Sequence, residues 1–106
     1  MSETTITRND SGRSFVIHVG DVLDVELPEN LATGYSWELV DATSAILRAT
    51  APEHKPGSSM PGAPGIKAYR FEAIAPGNGR IELTLRRPWD PVGTRAESFV
   101  AQISVQ

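Results

Sequence analysis

Cysteine is absent from this chain of 106 residues, which excludes disulfides, thiolate zinc sites and any thiol nucleophile of its own. Stability must therefore come from packing alone. Histidine occurs only at 18 and 54, so a metal site would have to draw on carboxylates, and no His-x-x-x-His spacing is present. No metal or cofactor is expected. The ten Lys and Arg residues are scattered, with Arg86-Arg87 the only adjacent pair, and the net charge is -3. The basic stripe of a nucleic-acid binder is missing. Apolar residues make up 40% and charged residues 22%, an ordinary balance that suggests neither disorder nor a membrane span. Met1 to Asp10 is polar, with no apolar h-region, so the chain as it stands reads as cytoplasmic; export would need a leader removed from it. No nucleophile elbow, zinc motif or phosphate loop occurs, and Asp and Glu fall on outward strand positions, so the chain is not expected to be an enzyme.

What is present is alternation. Apolar residues recur at spacing two far more often than at three or four, and nine glycines and eight prolines punctuate the connections. Residues 1 to 14 are polar, with a turn expected at Asp10-Ser11-Gly12. Phe15, Ile17 and Val19 then form one face of a first strand, and Leu23, Val25 and Leu27 one face of a second that Pro28 ends. Tyr35, Trp37 and Leu39 face one way in the next strand, with Trp37 entering the core as sandwich domains often arrange a central-strand Trp. A short edge strand is expected at Ile46-Leu47-Arg48-Ala49. Tyr69, Phe71 and Ala73 follow, then a turn at 75–79, then Ile81, Leu83 and Leu85, and finally Phe99, Ala101, Ile103 and Val105. About seven short strands in one domain, residues 1–106, point to an all-β, immunoglobulin-like antiparallel sandwich.

Three connections carry unusual residues. Asn30-Leu31-Ala32-Thr33-Gly34-Tyr35 combines bend-forming types with two side chains that have no obvious core position. From Ala51 to Gly65 prolines and glycines crowd a long loop, and loops of that length are functional or mobile. Arg86-Arg87-Pro88-Trp89-Asp90-Pro91 brackets an indole with two prolines that restrict φ around it. Trp and Arg are enriched at interface hot spots, although Trp89 could equally fold back over the end of the core. Strand direction alternates, so the connections after the second, fourth and sixth main strands should emerge at one pole. These are the same three connections.

In order, they resemble the motifs of the chagasin-like family of cysteine protease inhibitors: an Asn-Pro-Thr-Thr-Gly-Tyr/Phe loop, a Gly-x-x-Gly loop and an Arg-Pro-Trp loop. The matching residues are Asn30, Leu31, Ala32, Thr33, Gly34 and Tyr35; Gly62, Ala63, Pro64 and Gly65; and Arg87, Pro88 and Trp89. Leu31 stands where the family has proline, and Ala32 where it has threonine. The resemblance covers essentially the whole chain. It implies reversible inhibition of papain-like proteases, cathepsin L-like enzymes or papain itself, with the first loop over the catalytic cysteine and the others beside it. In that picture Trp89 stacks on an aromatic surface beside the cleft, Arg87 supports it or pairs with a carboxylate, and Gly62 to Gly65 allow close backbone approach. Nothing calls for a dimer, so a monomer is expected. The same pole would also serve a generic immunoglobulin-like module that binds a non-protease protein or a glycan. His18 and His54 have no partner visible in the sequence and read as solvated or packed side chains.

Overall fold

A computed structural model describes residues 2–29, 34–55, 65–87, 89 and 97–106. Nine strands and one 3-10 turn are found among them. In chain order the strands are β1 (Glu3–Thr7), β2 (Ser14–Ile17), β3 (Val22–Glu29), β4 (Ser36–Ala42), β5 (Leu47–Ala49), β6 (Glu53–Lys55), β7 (Gly65–Ala73), β8 (Gly77–Arg86) and β9 (Glu97–Val105). One sheet runs β1-β3-β7-β5, with β6 also on β7, and the other runs β2-β9-β8-β4.

The alternation read from the sequence makes the core. Leu23, Val25 and Leu27 of β3 and Tyr69, Phe71 and Ala73 of β7 face Trp37, Ile81, Leu83, Phe99, Ala101 and Ile103 from the opposite sheet, all of them buried. The expected all-β, immunoglobulin-like sandwich is what forms.

Several local expectations change. The polar N-terminus contributes β1, because Ile6 alone fills a place in the core while its neighbours remain at the surface. β1 pairs with β3 and β2 with β9 in parallel, so the N-terminal segment lends one edge strand to each sheet, and the sandwich is not purely antiparallel. The expected turn at 75–79 is where β8 begins, since Gly77 already pairs with Val105. Val19 and Leu39 are exposed, not inward. Val19 lies past the end of β2, and Leu39, which keeps the parity of Trp37, lies on the edge strand β4 at the start of a register shift between Leu39 and Asp41.

The connection expected from 51 to 65 is interrupted by β6. β5 and β6 both run antiparallel to β7, the first opposite Phe71–Ala73 and the second opposite Ile66–Ala68. They act as one broken edge strand, so the extra element leaves the alternation of direction unchanged. The strands leading into 30–35, 56–64 and 87–96 therefore all point to one pole.

Candidate functional site

Of the thirteen residues singled out by motif, the structure describes Gly34, Tyr35, Gly65, Arg87 and Trp89. Asn30, Leu31, Ala32, Thr33, Gly62, Ala63, Pro64 and Pro88 lie outside the described residues.

The described members of the first and third motifs meet. Ser36 pairs with Arg86 and Trp37 with Leu85, so one step further toward the pole Tyr35 and Arg87 lie on the same face as the buried Trp37. The Arg87 guanidinium stands 4.9 Å from the centre of the Tyr35 ring and 5.6 Å from that of Trp89, a cation held against two aromatic faces. Trp89 itself is 67% exposed, which decides its reading: it does not fold back over the core.

The contact between loops is closer still at Gly34. Its φ is +80°, a region open to glycine at no cost. A Cβ built there would stand 2.3 Å from Trp89 Cη2, 3.0 Å from Cζ2 and 3.3 Å from Cζ3, so the indole rests directly on the Gly34 backbone. Glycine is required at 34 both for its backbone angle and for the space the ring occupies.

Below this surface a polar seam closes the neck of the first connection. β4 is an edge strand, and the main chain of Trp37 is met by side chains from the other sheet. Its N–H donates to Glu29 Oε2 at 2.9 Å, and its carbonyl accepts from Lys67 Nζ at 2.9 Å and Tyr69 Oη at 3.0 Å. Ser36 Oγ donates to the same Glu29 oxygen at 3.0 Å and receives Lys67 Nζ at 3.3 Å. The Trp37 indole Nε1 donates to the Pro28 carbonyl at 2.8 Å. Pro28 lies beyond the reach of β1, whose ladder ends at Glu26, so the N–H it lacks is not missed there.

Burial, with the Glu29 and Glu38 charges adding to it, pushes the Tyr69 phenol up to about 12, so it stays protonated and able to donate. Two sequence expectations fail in this seam. Glu29 is not an outward carboxylate but is only 3% exposed. Pro28 does not end β3, which runs on to Glu29 opposite Gly65. His54 has the expected solvent exposure, with 54% of its side chain accessible, and its Nδ1 lies 3.3 Å from Glu29 Oε1. His18 likewise sits 3.8 Å from Asp21, beside a loop at the other pole. The signal for Glu29 in the sequence is parity, since it follows Leu23, Val25 and Leu27 at spacing two, and its carboxylate is met by Ser36 and Trp37 of β4 in the facing sheet.

The third connection has its own support. Arg8, in the 3-10 turn Arg8–Asp10, grips Glu97 at the start of β9 with two bonds of 2.6 Å. No group of three or more His, Cys, Asp or Glu side chains among the described residues could hold a metal ion.

A two-sheet sandwich that gathers an exposed tryptophan, an arginine and a tyrosine at one pole has the form of a loop-presenting binding protein. Residues 16–103 match the family model described as "Chagasin family peptidase inhibitor I42". The chain therefore belongs to the chagasin family of peptidase inhibitors, and its activity is inhibition, not catalysis. It is similar to chagasin of Trypanosoma cruzi, 24% identical over 103 residues that cover 92% of this chain and 94% of that one. It is also similar to amoebiasin-1 of Entamoeba histolytica, 28% identical over 104 residues, covering 96% and 99% of the two chains. Among solved structures, the cysteine protease inhibitor EhICP2 of Entamoeba histolytica superposes with a TM-score of 0.88 at 21% identity, covering 99% of this chain and 96% of that one. PbICP-C, solved in complex with falcipain-2, superposes with a TM-score of 0.68 at 22% identity, covering 98% and 89%.

Proposed function

We propose that this chain, acting as one inhibitory domain, blocks papain-like cysteine proteases reversibly by filling the active-site cleft with three loop tips. The observation that carries the reading is the Trp89 indole, largely exposed yet held against Gly34 and Arg87. An apolar ring fixed in place before binding loses little entropy on docking, which is what a tight reversible inhibitor requires. The family to which the chain belongs and the falcipain-2 complex of a structural neighbour support the choice of target class.

In this reading Asn30, Leu31, Ala32, Thr33, Gly34 and Tyr35 form the central loop over the catalytic cysteine. Gly62, Ala63, Pro64 and Gly65 form one flank, and Arg87, Pro88 and Trp89 the other. Occlusion needs no chemistry from the inhibitor: the central loop fills the cleft without offering the thiolate a well-placed peptide carbonyl, so no acyl-enzyme forms. Trp89 stacks on an aromatic surface beside the cleft, and Arg87 holds it there while facing the enzyme's charge. Three loop tips suffice to bury about 1,600 Å² in total, the usual size of a protease–inhibitor interface.

The test is titration of papain and a cathepsin L-like enzyme with folded protein. Tight, dilution-reversible loss of activity is expected. Full activity of both enzymes at micromolar inhibitor would overturn the reading and favour a module for a different protein or a glycan.

A further inference from the structure

We propose that Glu29 is a positioning residue for inhibition: its buried carboxylate clamps the two ends of the 30–35 connection together, so that the central loop meets its target already in shape. The inference rests on the proposed function and deepens it, since Glu29 matches no position of the three motifs.

Three observations converge on this residue. Glu29 is the last residue of β3 before the connection, and its Oε2 accepts from Ser36 Oγ and Trp37 N, the first two residues of the strand after it. Both bonds therefore span the loop, and together they fix the distance between its ends. The carboxylate is 3% exposed, and Oε1 has no hydrogen-bond partner among the described residues. Burying a carboxylate is costly, and an apolar side chain would fill the same place without that cost. Packing alone does not account for a charge here.

The second oxygen reaches another element. His54 Nδ1, 3.3 Å from Oε1, belongs to β6, the strand that leads directly into 56–64. Lys67 on β7 adds a positive charge through Ser36 Oγ and the Trp37 carbonyl. One carboxylate thus touches the roots of two connections, and the third is joined to the first through Gly34 and Trp89. Holding a loop in its bound form removes an ordering cost from association and appears mainly in the dissociation rate.

The experiment compares association and dissociation rates on papain for wild type, Glu29→Ala, Glu29→Gln, Ser36→Ala and Ile103→Val. Ile103 is a buried control that pairs with Phe15 and Gly79, away from the loop neck. Glu29→Ala is expected to raise the dissociation rate roughly 10- to 100-fold while the association rate stays within about threefold. Glu29→Gln should recover most of the affinity, because an amide oxygen accepts from the same two donors. Ser36→Ala, which keeps the Trp37 bond, should fall between. Ile103→Val should lower the melting temperature and leave both rates unchanged. Inhibition by Glu29→Ala within about twofold of wild type, or an equal loss in Ile103→Val, would overturn the positioning role while leaving the inhibitor reading intact. Should Glu29→Ala not fold, the ranking of Glu29→Gln and Ser36→Ala decides in its place. Should wild type not inhibit at all, amide exchange at Gly34 and Trp37 in the free protein decides. Exchange at least tenfold faster in the Glu29 variants supports the clamp, and unchanged protection refutes it.

Discussion

The two tryptophans of this chain occupy opposite environments, yet both serve the same loop. Trp37 is 1% exposed and Trp89 67% exposed. The first sits in the core, and its indole N–H and main chain are bonded to Pro28, Glu29, Lys67 and Tyr69 at the loop's neck. The second lies on the backbone of Gly34 at the loop's far end, with Arg87 over its face. One ring is held by what it buries, the other by what is built around it. A large apolar side chain exposed on a small domain is expensive to leave bare unless something covers it in use, whereas the buried one accounts for itself through packing.

That contrast can be broken from either side. Trp37→Ala should cost about 3–5 kcal/mol, a large share of the roughly 5–15 kcal/mol that stabilises a domain of this kind, and urea unfolding would show it as a much lower midpoint. Trp89→Ala should leave the unfolding midpoint within about 0.5 kcal/mol of wild type and weaken inhibition by about 2 kcal/mol or more, roughly 30-fold in Ki. If the two variants behaved alike in both assays, the division between a structural and a functional indole would fail.

Smaller substitutions sharpen it. Gly34→Ala places a methyl 2.3 Å from the Trp89 ring at a φ of +80°, so the ring must move. A stability loss of about 1 kcal/mol is expected from the backbone, together with an inhibition loss of about tenfold from the displaced indole. Arg87→Ala removes the cation between Tyr35 and Trp89 and should weaken inhibition by about three- to tenfold, the size of an exposed or half-buried cation–π contact. The least effect at neutral pH is expected from Tyr69→Phe, about 1 kcal/mol for one buried hydrogen bond. Its pH dependence is more telling. The unfolded phenol ionises near its ordinary value of 10.0 and the folded one at about 12, so the folded state holds its proton longer. Wild type should therefore lose stability as pH rises from 10 to 12, and Tyr69→Phe should lack that slope in alkaline melts.

Much of this is legible in the sequence. Strict alternation marked the strands of both sheets, because half-buried strands must alternate, and it placed Trp37 in the core. Direction counting grouped the three unusual connections, and it survived the unexpected β6 because β5 and β6 run the same way along β7. β1 was hidden: a strand that offers the core a single Ile6 has no period to detect. Leu39 keeps the inward parity yet is exposed on the edge strand β4, where a register shift begins that leaves no mark in composition. The burial of Glu29 and its approach to the exposed His54 have a different origin. Both arise where β3 and β6 meet β4 of the facing sheet, and residues 29 and 54 are far apart in sequence. Trp89 could be read two ways from its proline bracket alone, and only its exposure and its contact with Gly34 separate them.

The most direct measurement is the Ki of wild type and Trp89→Ala on papain, with a urea melt of each protein alongside. Tight inhibition by wild type, a loss of about 30-fold or more on truncation of the exposed ring, and superimposable melts are expected. Equal inhibition by the two proteins, or no inhibition by folded wild type, would contradict that expectation.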